Sequence, residues 1–147
     1  MTLLVYTDGS ALSNAKDACA GWAAYFVEEK VLRSGSLHAT NNYAELWAIH
    51  YVLYRYEKKL KPVDTKIVIK SDSLYAINVI TGKYKAKANI ELVNSIKTRI
   101  QRLKADGNTI SLKHVSAHTG GTDKDSVYND IVDKEARRRA EMLKDKK

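Results

Sequence analysis

The hydrophobic pattern of this chain changes from strand-like to helix-like partway along, and the order of these patterns constrains the fold more than any other feature. Residues 2–7 predict a buried strand, and segments 21–27 and 30–37 predict two more, separated by Glu28 and Glu29. Helices are predicted at 42–60, 73–81, 89–104 and 126–145, and two further strands at 67–69 and 109–115. Strands followed by alternating helices and strands indicate an α/β fold, in which an antiparallel meander joins parallel crossovers in one mixed sheet.

The size and composition of the chain suit one intracellular domain. Its length of 147 residues fits a single domain, since domains typically run about 100–200 residues, so we expect one domain over residues 1–147. Cys19 is the only cysteine, which excludes a disulfide or zinc-knuckle scaffold. The chain shows neither a signal peptide nor the run of about 18 apolar residues that a membrane span requires. These features predict a cytoplasmic monomer without membrane contact, and the net charge of +8 favours a polyanionic partner.

Two aspartates occupy equivalent places at the ends of predicted strands. Asp8 follows the first strand and precedes Gly9 and Ser10, and Asp72 follows the strand at 67–69. Taken alone, each aspartate is more typical of a helix cap or a turn. Because ligands bind outside the carboxyl ends of parallel strands in an open α/β sheet, the pair instead indicates one shared site.

Glu45 lies on the apolar face of a predicted helix, which is an unfavourable place for a charge. The face also carries Leu46, Ile49 and Val52, and it should cover the sheet. A carboxylate there is costly unless it is paired or binds a metal. Because Glu45 is in the first turn, it should project over the sheet end that carries the two aspartates. The alternative is a favourable interaction with the helix dipole.

The last predicted helix offers a fourth carboxylate, either Asp130 or Asp133, and the residues alone leave this choice open. Several carboxylates in a small space repel one another unless divalent cations neutralise them. Mg²⁺ and Mn²⁺ accept carboxylate and phosphate oxygens, and two such ions can bind both the attacking and the leaving oxygen of a phosphodiester. An acidic cluster in a basic protein therefore indicates phosphoryl transfer on a nucleic acid.

The order and spacing of five short motifs resemble the type 1 ribonuclease H family over nearly the whole chain. The motifs are Tyr6-Thr7-Asp8-Gly9-Ser10, Thr40-Asn41-Asn42-Tyr43-Ala44-Glu45-Leu46, Ser71-Asp72-Ser73, Val115-Ser116-Ala117-His118-Thr119-Gly120 and Asn129-Asp130-Ile131-Val132-Asp133-Lys134-Glu135-Ala136. The resemblance implies a ribonuclease H-like fold, with a five-stranded mixed sheet flanked by helices. It also implies a metal-dependent endonuclease that hydrolyses the RNA strand of RNA–DNA hybrids by a two-metal-ion mechanism, leaving 5′-phosphate and 3′-hydroxyl ends.

The same resemblance assigns roles to the candidate catalytic residues. Asp8 would bridge two Mg²⁺ ions, for which Mn²⁺ could substitute, and Glu45 and Asp72 would complete one metal site. Asp133 would help to hold the second ion, because it occupies the last position of the family's Asn-x-x-x-Asp pattern. His118 matches a loop histidine that assists proton movement or product departure.

Eight positions match family residues that contact the hybrid. Asn14 and Thr40 would contact phosphates on the DNA side, whereas Asn41 and Asn42 would reach the minor groove, where the 2′-hydroxyl distinguishes RNA from DNA. A helix cap is the alternative interpretation of the asparagine pair. The predicted substrate-binding residues are Gly9, Ser10, Asn14, Thr40, Asn41, Asn42, Ser73 and Asn89.

The chain departs from the family pattern at three points near these residues. Residues 15–20 replace the usual glycine-rich stretch, so contacts made by that turn are not expected here. Leu74 stands where many members have a glutamine that contacts substrate. The segment between His118 and Asp133 is several residues longer than in many bacterial members.

A basic surface is expected beside the site. Segment 73–88 is too short for the full basic handle of many bacterial members, yet residues 83–104 carry many lysines and arginines and one acid, Glu91. The alternative is the solvated face of a surface helix. His38 and His50 have no motif context and are expected at the surface.

Two other functions remain compatible with this type of fold. A DNA-strand transferase, resolvase or 3′ exonuclease is one, but those exonucleases should show Asp-x-Glu where this chain has Asp8-Gly9-Ser10. A noncatalytic hybrid-binding module is the other, and the loss of one of the four carboxylates would have indicated it. All four are present.

Overall fold

The computed structural model describes residues 1–116 and 121–146 and contains a five-stranded sheet. The elements are β1 Thr2–Ala11, β2 Cys19–Phe26, β3 Val31–His38, α1 Asn41–Arg55, β4 Lys66–Ser71, α2 Leu74–Thr81, α3 Ile90–Ala105, β5 Thr109–His114 and α4 Lys124–Asp145. The strand order is β3-β2-β1-β4-β5, with β1 antiparallel to β2 and parallel to β4. The predicted α/β fold with a mixed sheet is therefore confirmed. No helix in the described part of the chain is long and apolar enough to cross a membrane.

The sheet is covered on both faces, which explains the continuous apolar run of β1. Leu3 and Val5 belong to the core that β1 shares with α1, α2 and α3. Leu4 and Tyr6 point to the other face and pack with Val132 and other residues of α4. Since successive side chains of a strand alternate between faces, a strand with helices on both sides must be apolar at every position.

β1 and the first helix differ from the prediction at their C-terminal ends. β1 continues to Ala11, because β2 pairs with it beyond the point where its parallel pairing with β4 stops. Asp8 is therefore inside a strand rather than at its end. α1 ends at Arg55 and is followed by a π-helical turn, Tyr56–Leu60, which Lys61 terminates with a left-handed backbone at φ 46°.

α4 begins at Lys124, earlier than the sequence pattern predicts, because its first turn is fixed by side chains. The N-cap, Asp123, accepts a hydrogen bond from the Ser126 backbone N–H at 3.2 Å. Asp125 then binds the sheet, since its carboxylate accepts hydrogen bonds from Lys70 Nζ at 2.8 Å and from the Tyr6 hydroxyl. The start of the helix is thus attached directly to β1 and β4.

Two glycines let helices approach the sheet at backbone distance. A Cβ on Gly9 would lie 2.3 Å from the Glu45 backbone nitrogen in α1. A Cβ on Gly21 would lie 1.9 Å from the Ala136 carbonyl oxygen in α4. These contacts position the two helices that carry Glu45 and Asp133.

We expect Gly21→Ala to destabilise the fold, because its methyl group would push α4 away from β2. Overpacking of this kind typically costs about 1–3 kcal/mol, and the contact with backbone leaves little room for relaxation. Chemical denaturation measures the loss. Gly82→Ala is the control, since Gly82 has positive φ but open space around its Cβ, so its cost should be that of the backbone alone, about 1 kcal/mol. Equal stability of Gly21→Ala and wild type would show that α4 does not pack as described.

Candidate active site

Three of the predicted carboxylates meet at one end of the sheet. Asp8, Glu45 and Asp72 each offer an oxygen, and these oxygens all lie within 4.8 Å of one another. Asp8 and Glu45 are buried, with 3% and 7% of their surfaces exposed, and Asp72 is half-buried. They come from β1, α1 and the turn after β4, which are far apart in the sequence.

The parallel pairing of β1 and β4 places the two aspartates side by side. Its last pair is Thr7 with Ser71, so Asp8 and Asp72 are the next residues on neighbouring strands. Ser73 caps α2, since its hydroxyl accepts from the Ala76 backbone N–H at 3.1 Å. Asp72 is therefore not the cap of this helix, and its carboxylate can turn towards the other acids.

Glu45 is held in the site by the backbone of β1. The Gly9 N–H donates to Glu45 Oε1 at 2.6 Å, which is possible because the glycine lies against the first turn of α1. Thr40 is the N-cap of α1, and its hydroxyl accepts from the Tyr43 N–H at 3.1 Å. The alternative interpretation of the asparagine pair as the cap is thus wrong. Asn41 Oδ1 instead accepts from the Ala11 N–H at 3.1 Å and attaches the helix to the end of β1.

The electrostatics of the cluster favour a divalent cation. Burial raises the pKa of Asp8 well above its usual range, and the neighbouring charges of Glu45, Asp72 and Asp133 raise it further. Burial, together with the charge of Asp72, raises the pKa of Glu45 to about 8, although the Gly9 N–H opposes this shift. Hard oxygen donors that repel one another in a buried place are the donor set that Mg²⁺ or Mn²⁺ accepts, so these residues fit such an ion.

The two candidate aspartates of α4 differ in their surroundings. Asp133 is buried, with 8% exposed, and is close enough for its charge to raise the pKa of Asp8. The Arg137 guanidinium lies 3.4 Å from its carboxylate. Asp130 is exposed and forms an ion pair with Lys134 at 2.9 Å. The geometry therefore places Asp133, and not Asp130, on the side of the acidic cluster.

The remaining predicted site residues occupy three different places. His118 lies outside the described residues. Gly9 is buried under α1, Ser10 follows it on β1, and Asn14 is exposed in the turn between β1 and β2. Asn89 precedes α3 with a left-handed backbone at φ 58°, and its amide donates to the Tyr75 hydroxyl at 3.2 Å.

A groove of about 720 Å³ contains several of the predicted substrate residues, and we call it the candidate substrate groove. Lysines and tyrosines line it together with hydrogen-bonding side chains. The lining includes Lys16, His38, Thr40, Asn42, Tyr43, Tyr75, Tyr84, Lys85, Lys87 and Asn89. The tyrosines were not predicted, although the interleaving of aromatic and basic residues at 84–87 was a detectable signal of nucleic-acid binding.

Part of the expected basic surface is neutralised by an acid from the π-helical turn that follows α1. Glu57 accepts hydrogen bonds from Arg99 and from Arg102, the latter at 3.3 Å. The exposed lysines 83, 85 and 87 form no ion pair within the described residues. Two of these lysines, Lys85 and Lys87, therefore present to the candidate substrate groove cations that have no carboxylate partner in the described part of the chain.

Known proteins resemble this chain in sequence and in fold. The RNase H family model matches residues 1–141. A ribonuclease H from Tropheryma whipplei (strain Twist) is 36% identical over 128 residues, covering 80% of this chain and 74% of that protein. LC11-RNase H1, solved in complex with an RNA/DNA hybrid, is 21% identical with a TM-score of 0.73 over 96% of this chain and 98% of that chain. RNase H1 from Halobacterium salinarum NRC-1 is 21% identical with a TM-score of 0.66 over 97% and 99%, respectively.

The raised pKa values predict that the metal-free protein loses stability as pH rises. Because Asp8 and Glu45 titrate higher in the folded protein than in the unfolded chain, the folded state binds more protons between about pH 4 and pH 8. The free energy of unfolding in EDTA should therefore fall across this window, and saturating Mg²⁺ should reduce the fall. Denaturant titrations at several pH values measure this fall in the free energy of unfolding.

Two variants control this measurement. Asp8→Asn removes one of the repelling charges, so it should raise the stability of the metal-free protein at pH 8 and flatten its pH dependence. Asp130→Asn should keep the wild-type slope, since Asp130 lies outside the cluster. A stability that is constant or rises with pH in EDTA would contradict the described electrostatics.

Proposed function

Because this chain belongs to the RNase H family, we propose that it is a metal-dependent endonuclease that hydrolyses the RNA strand of RNA–DNA hybrids. The observation that carries the proposal is the cluster of Asp8, Glu45 and Asp72, since the first turn of α1 both supplies Glu45 to the cluster and lines the candidate substrate groove. Carboxylates that fit Mg²⁺ or Mn²⁺ thus lie near a surface of lysines and aromatic rings, which suits a nucleic acid. The complex of LC11-RNase H1 with an RNA/DNA hybrid supports the choice of substrate. We further propose a cytoplasmic monomer consisting of one domain, residues 1–147.

Four carboxylates would hold two Mg²⁺ ions, with Mn²⁺ as a possible substitute. Asp8 would bridge the ions, Glu45 and Asp72 would complete one site, and Asp133 would help to hold the other. When bound, the ions supply positive charge that stabilises the attacking and leaving oxygens of the phosphodiester. The hydrogen bond from Gly9 fixes the Glu45 carboxylate before any ion binds, so little reorganisation is needed.

Polar side chains at the rim would orient the hybrid over the acids. Thr40 and Asn14 would bind phosphates of the DNA strand, and Asn42 and Ser73 would contact the substrate closer to the cluster. Asn41 uses its carbonyl oxygen on the Ala11 N–H, so its amide NH₂ is the group that can donate to a base edge or a sugar hydroxyl. Donation to the 2′-hydroxyl is one basis for selecting RNA over DNA.

The last part of the proposal concerns protons and products. We propose that His118 assists proton movement or product departure, because a loop histidine can exchange protons near neutral pH. Water would attack the phosphorus atom, and the bond to the 3′ oxygen would break. The products would carry 5′-phosphate and 3′-hydroxyl ends.

Cleavage assays on defined substrates test the proposal. We expect purified protein with Mg²⁺ to cut the RNA of a labelled hybrid, and to leave RNA duplex, DNA duplex and single strands uncut. Asp8→Asn or Asp72→Asn should nearly abolish cleavage while hybrid binding persists, because each removes a charged ligand and reduces repulsion of phosphate. Preferred cleavage of DNA, or near wild-type turnover of either variant with saturating Mg²⁺, would overturn the assignment.

Matched variants in the same assay test the roles of Asp133 and His118. Asp133→Asn should be severe and Asp130→Asn mild, and the reverse result would mean that α4 presents a different carboxylate. His118→Ala should slow turnover without abolishing it, within the ~10²–10⁴-fold range of general acid–base contributions. An unchanged rate across the pH range would exclude His118 from the reaction.

Replacement of three lysines tests the role of the groove. Lys83, Lys85 and Lys87 are exposed, and the last two line the candidate substrate groove. The triple change to Glu should raise KM with little change in kcat, because a remote contact stabilises ground and transition states alike. It should also flatten the salt dependence of binding, since each phosphate contact contributes up to ~0.9 to the log–log slope. Unchanged KM and salt slope would show that these lysines only add solubility.

A further inference from the structure

A furrow between α1 and α3 continues from the candidate substrate groove along the side of the protein. It consists of two cavities of about 470 and 280 Å³, which share His50 and Ser95 as lining residues. The first cavity shares Tyr43 and Asn89 with the candidate substrate groove. We call these two neighbouring cavities the α1–α3 furrow. Because they share lining residues with each other and with the candidate substrate groove, the furrow borders the groove directly.

Three aromatic rings of α1 line the first cavity of the furrow in a row, which we call the ladder. The Tyr43 and Trp47 rings are 6.3 Å apart and nearly parallel, at 13°. The Trp47 and His50 rings are 5.1 Å apart at 39°. Because residues three and four apart share a helix face, the ladder runs parallel to the α1 axis. All three rings are half-buried, so each also presents surface to the furrow.

Cationic side chains lie at the far end of the ladder. Arg99 Nε donates to His50 Nε2 at 3.1 Å, which requires that nitrogen to be unprotonated and keeps the ring neutral. Arg99 and Arg102 share the single carboxylate of Glu57. The side chain of Arg102 is 58% exposed and lines the second cavity. This end of the furrow therefore carries two guanidinium groups for one carboxylate, and that of Arg102 is exposed.

We propose that the α1–α3 furrow binds single-stranded DNA that extends beyond the hybrid. Aromatic rings that stack bases, combined with cations that contact phosphates, are the means by which proteins bind single strands without sequence preference. Helices packed about 8–10 Å apart leave a furrow narrower than a duplex, so one strand fits and two do not. Glu91 also lines the first cavity, which favours contact there with bases rather than with phosphates.

This inference rests on the proposed function, because the DNA strand must reach the furrow from the candidate substrate groove. The direct experiment compares binding of a blunt hybrid with that of the same hybrid carrying a DNA overhang of about six nucleotides, at the 5′ or the 3′ end, in EDTA. We expect one of the two overhangs to tighten binding about tenfold, as stacking of a single base can do. Equal affinity for blunt and both overhanging hybrids would overturn the proposal, and it would leave a protein partner as the other kind of ligand for this surface.

Variants of furrow residues test whether the DNA overhang binds in the furrow. Trp47→Leu keeps apolar bulk but removes the stacking face, so it should lose most of the gain from the overhang, and Trp47→Phe should retain much of it. Arg102→Gln, an exposed position that does not depend on core packing, should reduce the gain independently. All three variants should bind and cleave the blunt hybrid like wild type. If the gain persists in both Trp47→Leu and Arg102→Gln, the overhang binds elsewhere and the proposal is wrong.

The same measurements separate this proposal from the proposed function. Failure of the wild-type protein to cleave the blunt hybrid with saturating Mg²⁺ would contradict the proposed function itself. Normal cleavage of the blunt hybrid without any effect of the overhang would contradict only the role of the furrow.

Discussion

The site depends on the backbone contact between Gly9 of β1 and the first turn of α1. Any side chain at residue 9 would collide with the backbone at Ala44 and Glu45. With glycine there, the helix lies directly on the strand, and the strand's own N–H group binds the Glu45 carboxylate. This hydrogen bond turns the Glu45 side chain towards Asp8 and away from solvent or the edge of the core. The position of the acidic cluster is thus set by main-chain packing, which is more rigid than contact between long side chains.

The cluster is unfavourable in itself, and the rest of the fold compensates for it. Burial of Asp8 and Glu45 raises their pKa values, which means that part of their charge is suppressed when no cation is near. The opposing stabilisation comes from apolar packing on both faces of the sheet, including fully buried residues such as Ile49 on one face and Val132 on the other. A fold with one covered face would have less apolar burial with which to hold acids together. The two-layered covering of the sheet is therefore a requirement of the site as well as of the core.

The sequence predicted the architecture and the acidic triad because both follow from simple patterns. Periodicity identified the strands and helices, and Glu45 was identifiable as a charge on an apolar helix face. The predicted end of β1 was wrong, because the antiparallel pairing beyond Thr7 depends on a strand that is distant in sequence. The alternative of an asparagine cap for α1 was also wrong, because Thr40 caps the helix. The choice between Asp130 and Asp133 required the family pattern, since positions three apart on a helix can both face a sheet. The aromatic lining of the groove combines Tyr84, which lies in a detectable basic segment, with Tyr43 and Tyr75 from other segments, and no local pattern joins all three.

Because α4 is attached to the sheet at its first turn, the position of Asp133 does not depend on the length of the chain before the helix. Asp125 binds Tyr6 and Lys70 on two different strands, so the register of the helix is fixed at its first turn. Because the closure entropy of a flexible loop grows slowly, by about 0.6 kcal/mol for each doubling of its length, residues added or removed before Asp123 should leave the register of α4 unchanged. The length of the chain before the helix can consequently differ without moving the fourth carboxylate, whereas the proposed role of His118, which lies in that part of the chain, would still depend on it.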